Sequence, residues 1–555
     1  MSAALRGPEA DIRPEDIGDT TRGDRSIFQT NLHTPISQDL EQSSVEATGT
    51  TATTLDELAH IHDFSTSVPR APSPTPPSTA SGPDIFRGLV SEERLEELLD
   101  EYRPMSSAFP FVPVKPSEQV CTLRSSKPML LLAIAAAASS KDRALQAALD
   151  QRYREELASH TIIAPRKSTG LVQSLLVYLA WYHHFFSHKT QNIFPLLQLL
   201  IGLVIDVGLH QDKGRKALVE TSLEQQRERD RALLGCYFLS STISAALRKT
   251  ALFKKPDIFE ACLLRLREGA EFESDATIET LVSWRHLDDQ VNELCQKLRS
   301  QTSVSPDEDL RSVDANMHHY HQDLAGNIGN DVVRTPELLF YFAKMELCNA
   351  VVQYGNDLGD SSRTAEYNSI KTIECLDAGR SFLETLLEHS VHVYHQIPFV
   401  VWMRLPLIII TLTALTLSPD AAAPDRSIRL ELYLEALCSR MQTLTTCCPP
   451  HQPLPDFWKA MFVIMDQART WYVSRARSLA PTSETSVQAK PALFSPVSHY
   501  TELPGNVLTG HSDMFPGESA HGDVSSHFDD FMTLDLWGGS EGYDPTILNL
   551  DDIIQ

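Results

Sequence analysis

From residue 128 to about residue 417 the apolar side chains recur every three or four positions, and alternating strand patterns are scarce. A chain patterned this way is expected to fold as packed helices. Two stretches sharpen that constraint. MLLLAIAAAA at 129–138 and FVVWMRLPLIIITLTALTL at 399–417 are apolar almost all round, so each needs neighbours on every side. The first is too short to cross a bilayer. The second is long enough but contains Arg404 and Pro406, which favours a fully buried helix over a span. No membrane partner is expected.

Local chemistry sets the element boundaries. Ser91 is placed to cap a helix whose Leu95, Leu98, Leu99 and Tyr102 share one face, with Pro104 just past its end. Pro110, Pro113 and Pro116 keep the segment FPFVPV at 109–114 extended. Pro128 suits the first turn of the helix that follows it. Helical spacing continues over 145–157, 171–186 and 194–207, after which Gly208 fits a left-handed helix end. It resumes over 231–247, 278–298, 336–352, 369–387, 430–444 and 457–472, giving roughly a dozen helices. The expected fold class is mainly α: one large multi-helix domain over 84–480, flanked by disordered N- and C-terminal segments.

Residues 1–83 carry five Arg and no Lys against twelve acidic residues, and end in PRAPSPTPPSTASGP. Such a segment is too polar and Pro-rich to offset the entropy of ordering, and reads as a disordered arm and linker. After Lys490 no basic residue remains, while eleven acidic ones occur. Residues 481–527 read as a disordered linker, but 528–555 differ. There Phe528, Phe531, Met532, Leu534, Leu536 and Trp537 are interleaved with Asp529, Asp530 and Asp535. The carboxylates keep the apolar groups hydrated and available to a partner's groove, where Phe531, Leu534 and Trp537 would share one side of a short helix folded on binding.

The whole chain has 48 basic and 73 acidic residues, a net charge of −25. Such an excess repels phosphate backbones, and the clusters around Lys213, Lys216, Lys254 and Lys255 are too small to reverse that locally, so strong direct DNA binding is not expected. No nucleophile elbow, Walker loop or dinucleotide fingerprint is present, and no catalytic residue, cofactor or metal is expected. His389, His392 and His395 stand at i, i+3 and i+6, and His183, His184 and His188 cluster elsewhere. Without zinc-site spacing they read as solvated or hydrogen-bonded side chains. Nine cysteines without regular spacing fit a reducing compartment.

Asp288, Asp289 and Glu293 in DDQVNE raise an alternative, a magnesium-dependent terpene-cyclase-like enzyme. Its second element would be residues 356–361, where Asp360 replaces a hydroxyl and Thr364 replaces a Glu, so a solvated acidic helix face is favoured. A non-catalytic helical scaffold is the other alternative. Trp181, Tyr182 and Tyr237 are the aromatic candidates for lining an effector cavity, although their helical spacing favours core packing.

Five segments follow one another in a telling order: LVSEERLEELLDEYR with FPFVPV; LRSSKPMLLLAIAAAAS; SLLVYLAWYHHFFSHKTQNIFPLLQLLIGLVIDVGLHQD; RDRALLGCYFLSSTISAALRK; and SDATIETLVSWRHLDDQVNEL. The most specific part is the Gly208-Leu-His210 helix end followed by an Arg-rich helix start. From Ile85 to Tyr472 this order resembles the regulatory middle region of fungal zinc-cluster transcription factors. The resemblance implies a nuclear regulator whose helical domain answers to a small-molecule effector or a partner. An acidic activation segment would recruit transcriptional coactivators, and the target would be a metabolic pathway or a secondary-metabolite gene cluster. Family members usually carry six N-terminal cysteines around two zinc ions. Here the first cysteine is Cys121 and residues 1–83 are net acidic. DNA contact is therefore expected through a DNA-binding partner protein or a homodimer, or from a zinc-bearing exon outside this sequence.

Overall fold

The structure is a computed structural model describing residues 84–186, 192–211, 222–247, 249–269, 271–300, 306–326, 333–354, 363–417, 428–446 and 456–479. Among these described residues there are sixteen α-helices and no strand. The mainly-α expectation is met. The flanking segments 1–83 and 481–555 lie outside the described residues.

Ser91 Oγ accepts the Arg94 N–H at 3.3 Å and starts α1 (Glu92–Ala108), whose Leu95, Leu98, Leu99 and Tyr102 are buried as the spacing requires. The helix does not stop before Pro104. It carries that proline inside and runs on to Ala108, because Met105 and Ala108 in the last turn are buried too and their packing offsets the lost backbone hydrogen bond. The Pro-rich segment beyond is non-helical, and its Phe109, Phe111 and Val112 are fully buried. Tyr102 pins it by donating to the Val112 carbonyl at 2.8 Å.

After α2 (Val120–Ser126), Pro128 opens α3 (Pro128–Ala138), in which every residue from Met129 onward is buried. Its cover comes from α1, α2, α4 (Arg143–Ala158) and α5 (Thr169–Ala180). Helix α5 ends at Ala180 rather than near 186, and a 3₁₀ turn over Tyr182–His184 carries the chain onward. Then α6 (Ile193–Asp206) leads to Gly208 at φ +69°, the left-handed end its sequence indicated.

The next helix, α7 (Leu223–Ala246), begins well before residue 231. Ser222 and Gln225 form a capping box, a polar start that apolar periodicity does not register. Two further helices also escaped that pattern, α8 (Phe259–Gly269) and α10 (Pro306–Gly326), both rich in charged or polar residues. Between them lies α9 (Asp275–Arg299), followed by α11 (Thr335–Tyr354) and α12 (Arg363–Glu388), which pack on one another.

The apolar run 399–417 is broken at Met403 and Arg404 into α13 (Phe399–Trp402) and α14 (Leu405–Leu417). It has the length and apolarity of a bilayer span, yet 72% of it is buried inside the protein. Helices α15 (Leu430–Thr446) and α16 (Asp456–Leu479) pair and close over α12 and α14.

The two ends of the helical region share one core. Trp181 Nε1 donates to the Gln396 carbonyl at 3.1 Å, and His184 Nε2 donates to the His395 carbonyl at 3.1 Å. His183 is wholly buried, its ring centroid 5.3 Å from Phe457, 5.6 Å from Trp458 and 6.2 Å from Phe399, and neither ring nitrogen has a hydrogen-bond partner. Burial holds the His183 and His184 imidazoles well below their usual pKa, and the nearby positive charge of Arg143 adds to the effect. His395 is pushed down to about 3, again by burial first, then by Arg143 and Lys141.

Two outcomes follow from this packing. A Cβ on Gly235 of α7 would stand 2.7 Å from Phe111 Cβ, and Phe111 is held by stacking on Phe238 at 5.3 Å. Gly235→Ala is expected to destabilise by about 1–3 kcal/mol, whereas Gly202→Ala, with nothing within 4 Å, should stabilise by up to ~1 kcal/mol. Urea midpoints that move equally for the two would contradict the close approach. The buried histidines stay neutral in the fold, while the unfolded chain takes up their protons near pH 6.5. Their stabilising share is therefore complete above about pH 6.5 and declines as pH falls below it. His183→Phe should shrink the loss in urea midpoint between about pH 7.5 and about pH 5; an unchanged loss would show that His183 does not contribute.

Candidate functional site

A cavity of about 700 Å³ opens between α7, α9, α11 and α14. Its α14 wall is apolar, from Leu407, Ile410 and Ala414, while Asn292, Gln296 and Asn349 face it from α9 and α11. A size in this range suits a small organic molecule.

Charge enters the cavity from α9 and from the break between α13 and α14, with Glu346 of α11 and Lys249 beyond α7 also on its lining. Helix α9 turns an apolar face inward, set by Leu281, Trp284, Leu287 and Val291, and Arg285 and Asp288 fall at its inner edge with no solvent exposure. The second source is the break between α13 and α14, which delivers Arg404, only 4% exposed, into the same region. Arg285 donates to both Asp288 and Asp289. Asp289 also accepts from Tyr237 Oη and Ser241 Oγ, each at 3.3 Å, which ties α7 to α9. Asn292 Nδ2 adds a bond to the Asp288 carbonyl at 2.8 Å.

The two guanidiniums differ. Burial pulls the pKa of Arg285 down, but the charges of Asp288 and Asp289 more than compensate and leave it above its usual value. Burial holds Arg404 below its usual value, with Asp288 and Glu346 only partly offsetting the cost. Arg404 Nη2 stands 3.7 Å from Asp288 Oδ2, beyond hydrogen-bond reach, and neither its Nε nor its Nη2 has a hydrogen-bond partner. Phe342 and Trp284 cover the guanidinium at 4.3 and 5.2 Å from their ring centroids.

Of the aromatic candidates, Trp181 and Tyr182 lie in the core, the first edge-on to Tyr102 and Phe109, the second against Phe399 and bonded to Asn192. Neither lines the cavity. Tyr237 does not line it either but reaches it through Asp289. The activation-segment candidates Phe528, Asp529, Asp530, Phe531, Met532, Leu534, Asp535, Leu536 and Trp537 lie outside the described residues. Of the DDQVNE carboxylates, Asp288 is buried against Arg285, Asp289 also bonds to Arg285 but is partly exposed, and Glu293 is solvated and pairs with Lys297; 356–361 is outside the described residues. His392 and His395 sit on a 3₁₀ helix (Val391–Gln396), and His389, just before it, bonds to the Val333 carbonyl at 3.0 Å. No cluster of three or more His, Cys, Asp or Glu suited to a metal occurs among the described residues.

The cavity's own residues left traces in the sequence. Arg404 was conspicuous as a charge inside an apolar run, and Asp288 and Asp289 as a carboxylate pair. Their convergence was not visible, because 404 and 288 meet only through the packing of α13 and α14 against α11.

Residues 116–300 match the fungal specific transcription factor domain. Transcription factor himD of Aspergillus japonicus is 25% identical over 442 residues, covering 74% of this chain and 71% of that protein. Transcription factor opdL of Penicillium oxalicum is 29% identical over 230 residues, covering 38% of this chain and 40% of that protein. No solved structure matches.

Within the matched stretch α7 works as a charged clamp. Arg229 donates to the Gly208 carbonyl at 3.2 Å, Asp230 accepts Arg265 of α8 at 2.7 and 2.8 Å, and Arg231 donates to Asp275 of α9 at 2.7 and 2.8 Å. Arg285 is the deeper counterpart. Arg285→Met strands the Asp288 carboxylate in the interior and is expected to cost about 3–5 kcal/mol in urea unfolding. Arg285→Met with Asp288→Leu should regain part of that; a double variant as weak as the sum of the singles would show that the pair is not coupled.

Proposed function

We infer that this chain, which carries a fungal specific transcription factor domain, is a regulator of one metabolic pathway or secondary-metabolite gene cluster. The observation that supports a transcriptional regulator is the domain match over 116–300 together with two relatives that are themselves transcription factors; the pathway-specific role is our proposal. The helical domain holds the regulatory equilibrium, and residues 528–555 recruit transcriptional coactivators in the nucleus. Their composition supports this role: Phe528, Phe531, Met532, Leu534, Leu536 and Trp537 supply apolar anchors, while Asp529, Asp530 and Asp535 keep them soluble and steer a basic-rimmed groove. With a net charge of −25, promoter contact comes through a DNA-binding partner protein or from a zinc-bearing segment outside this sequence.

The engagement of Asp288 and Asp289 by Arg285 weighs against the cyclase alternative, since a magnesium site needs those oxygens. Residues 490–555 fused to an unrelated DNA-binding module should switch on a reporter. The triple change Phe531→Ala, Leu534→Ala and Trp537→Ala should lower that output about ten-fold or more, as truncated anchors do. A silent parental fusion at normal protein level removes the activation claim.

A further inference from the structure

We propose that the cavity between α7, α9, α11 and α14 binds a small carboxylic acid with an apolar body, and that Arg404 receives its carboxylate. A regulatory role for that acid rests on the function proposed above; the binding itself does not.

Arg404 is the observation that points to a ligand. Its side chain lines the cavity, is 4% exposed, and leaves Nε and Nη2 without hydrogen bonds. Arg285, also buried, is bonded to two carboxylates and leaves only its Nε without a partner, whereas Arg404 stands 3.7 Å from Asp288 and leaves both Nε and Nη2 without one. Phe342 and Trp284 shield Arg404 with apolar surface and offer it no strong acceptor. The planar fork matches a carboxylate, which it binds through two parallel N–H···O bonds.

The rest of the cavity selects among acids. A volume of about 700 Å³ is far more than a bare carboxylate fills, and Leu407, Ile410 and Ala414 form an apolar wall beside Arg404. The opposite side, with Asn292, Gln296 and Asn349, suits hydroxyl or carbonyl groups on the same molecule. Asp289 and Glu293, the acids of α9 on the lining, are paired with Arg285 and Lys297, and Lys249 adds a further cation to the wall. Glu346 lines the same cavity and its charge acts on Arg404, so it competes with an incoming carboxylate. Occupancy would pull α14 against α9 and α11, the helices that connect the matched domain to the C-terminal half of the chain.

The test uses the full chain with 4-phenylbutyrate and octanoate as probes, and 4-phenylbutanamide and octanamide as uncharged isosteres. The acids should raise the melting temperature by about 2 °C or more at saturating concentration, and the amides should not. Arg404→Met should weaken the acids about ten-fold or more in calorimetric titration. Ala414→Leu, which narrows the cavity and leaves Arg404 in place, should weaken them likewise and carries the test if Arg404→Met does not fold. Glu346→Gln should strengthen them. Acids and amides acting alike, or a folded Arg404→Met that binds the acids as the parent does, would overturn the proposal. Binding without any reporter output would instead sink the regulatory function and leave the site standing; a working reporter without acid binding would do the reverse.

Discussion

Two arginines that reach the interior from different helices organise the middle of this protein. Arg285 is fully enclosed and bonded to two carboxylates on its own helix, whereas Arg404 arrives from a break in an apolar run and shares Asp288 only at a distance. A buried cation tolerates few arrangements. The helices around it cannot slide without uncovering charge, so α7, α9, α11, α13 and α14 are held in one register. The cavity exists because that register leaves room on the far side of Arg404.

Much of the architecture was legible from side-chain spacing, and the exceptions share a cause. Apolar periodicity located α3, α4, α6, α9 and α12 closely, and Gly208 marked a helix end that does adopt a positive φ. It failed where polarity hides a helix. The start of α7 depends on the Ser222 and Gln225 box, and α8 and α10 carry many charged, amide or imidazole side chains. It also ran α5 on to 186, because Trp181, Tyr182 and His183 are as buried as a helix would make them while following a 3₁₀ path. Proline read as a stop signal at 104, where burial of the last turn outweighs the missing hydrogen bond. The site was less legible than the fold, since cavities arise from contacts hundreds of positions apart.

The segment order that suggested a fungal regulator has a physical basis in the structure. The Gly208 helix end and the Arg-rich start of α7 touch directly, Arg229 reaching the Gly208 carbonyl. The two residues after Arg229 then clamp α8 and α9 with opposite charges. A glycine, an arginine and an Asp-Arg pair thus set three helix junctions at once, and this is the part of the chain where the family match lies.

The bonds from Trp181 to Gln396 and from His184 to His395 span 215 and 211 residues. At about 5–20 residues per second, a ribosome needs roughly 10–40 s to supply the partners of those side chains. For that interval the nascent first half displays an aromatic surface it cannot bury alone. Residues 116–300, cut out as a unit, would display it permanently. Expression of the matched stretch by itself therefore invites aggregation, and the whole helical region is the smallest sensible piece to produce.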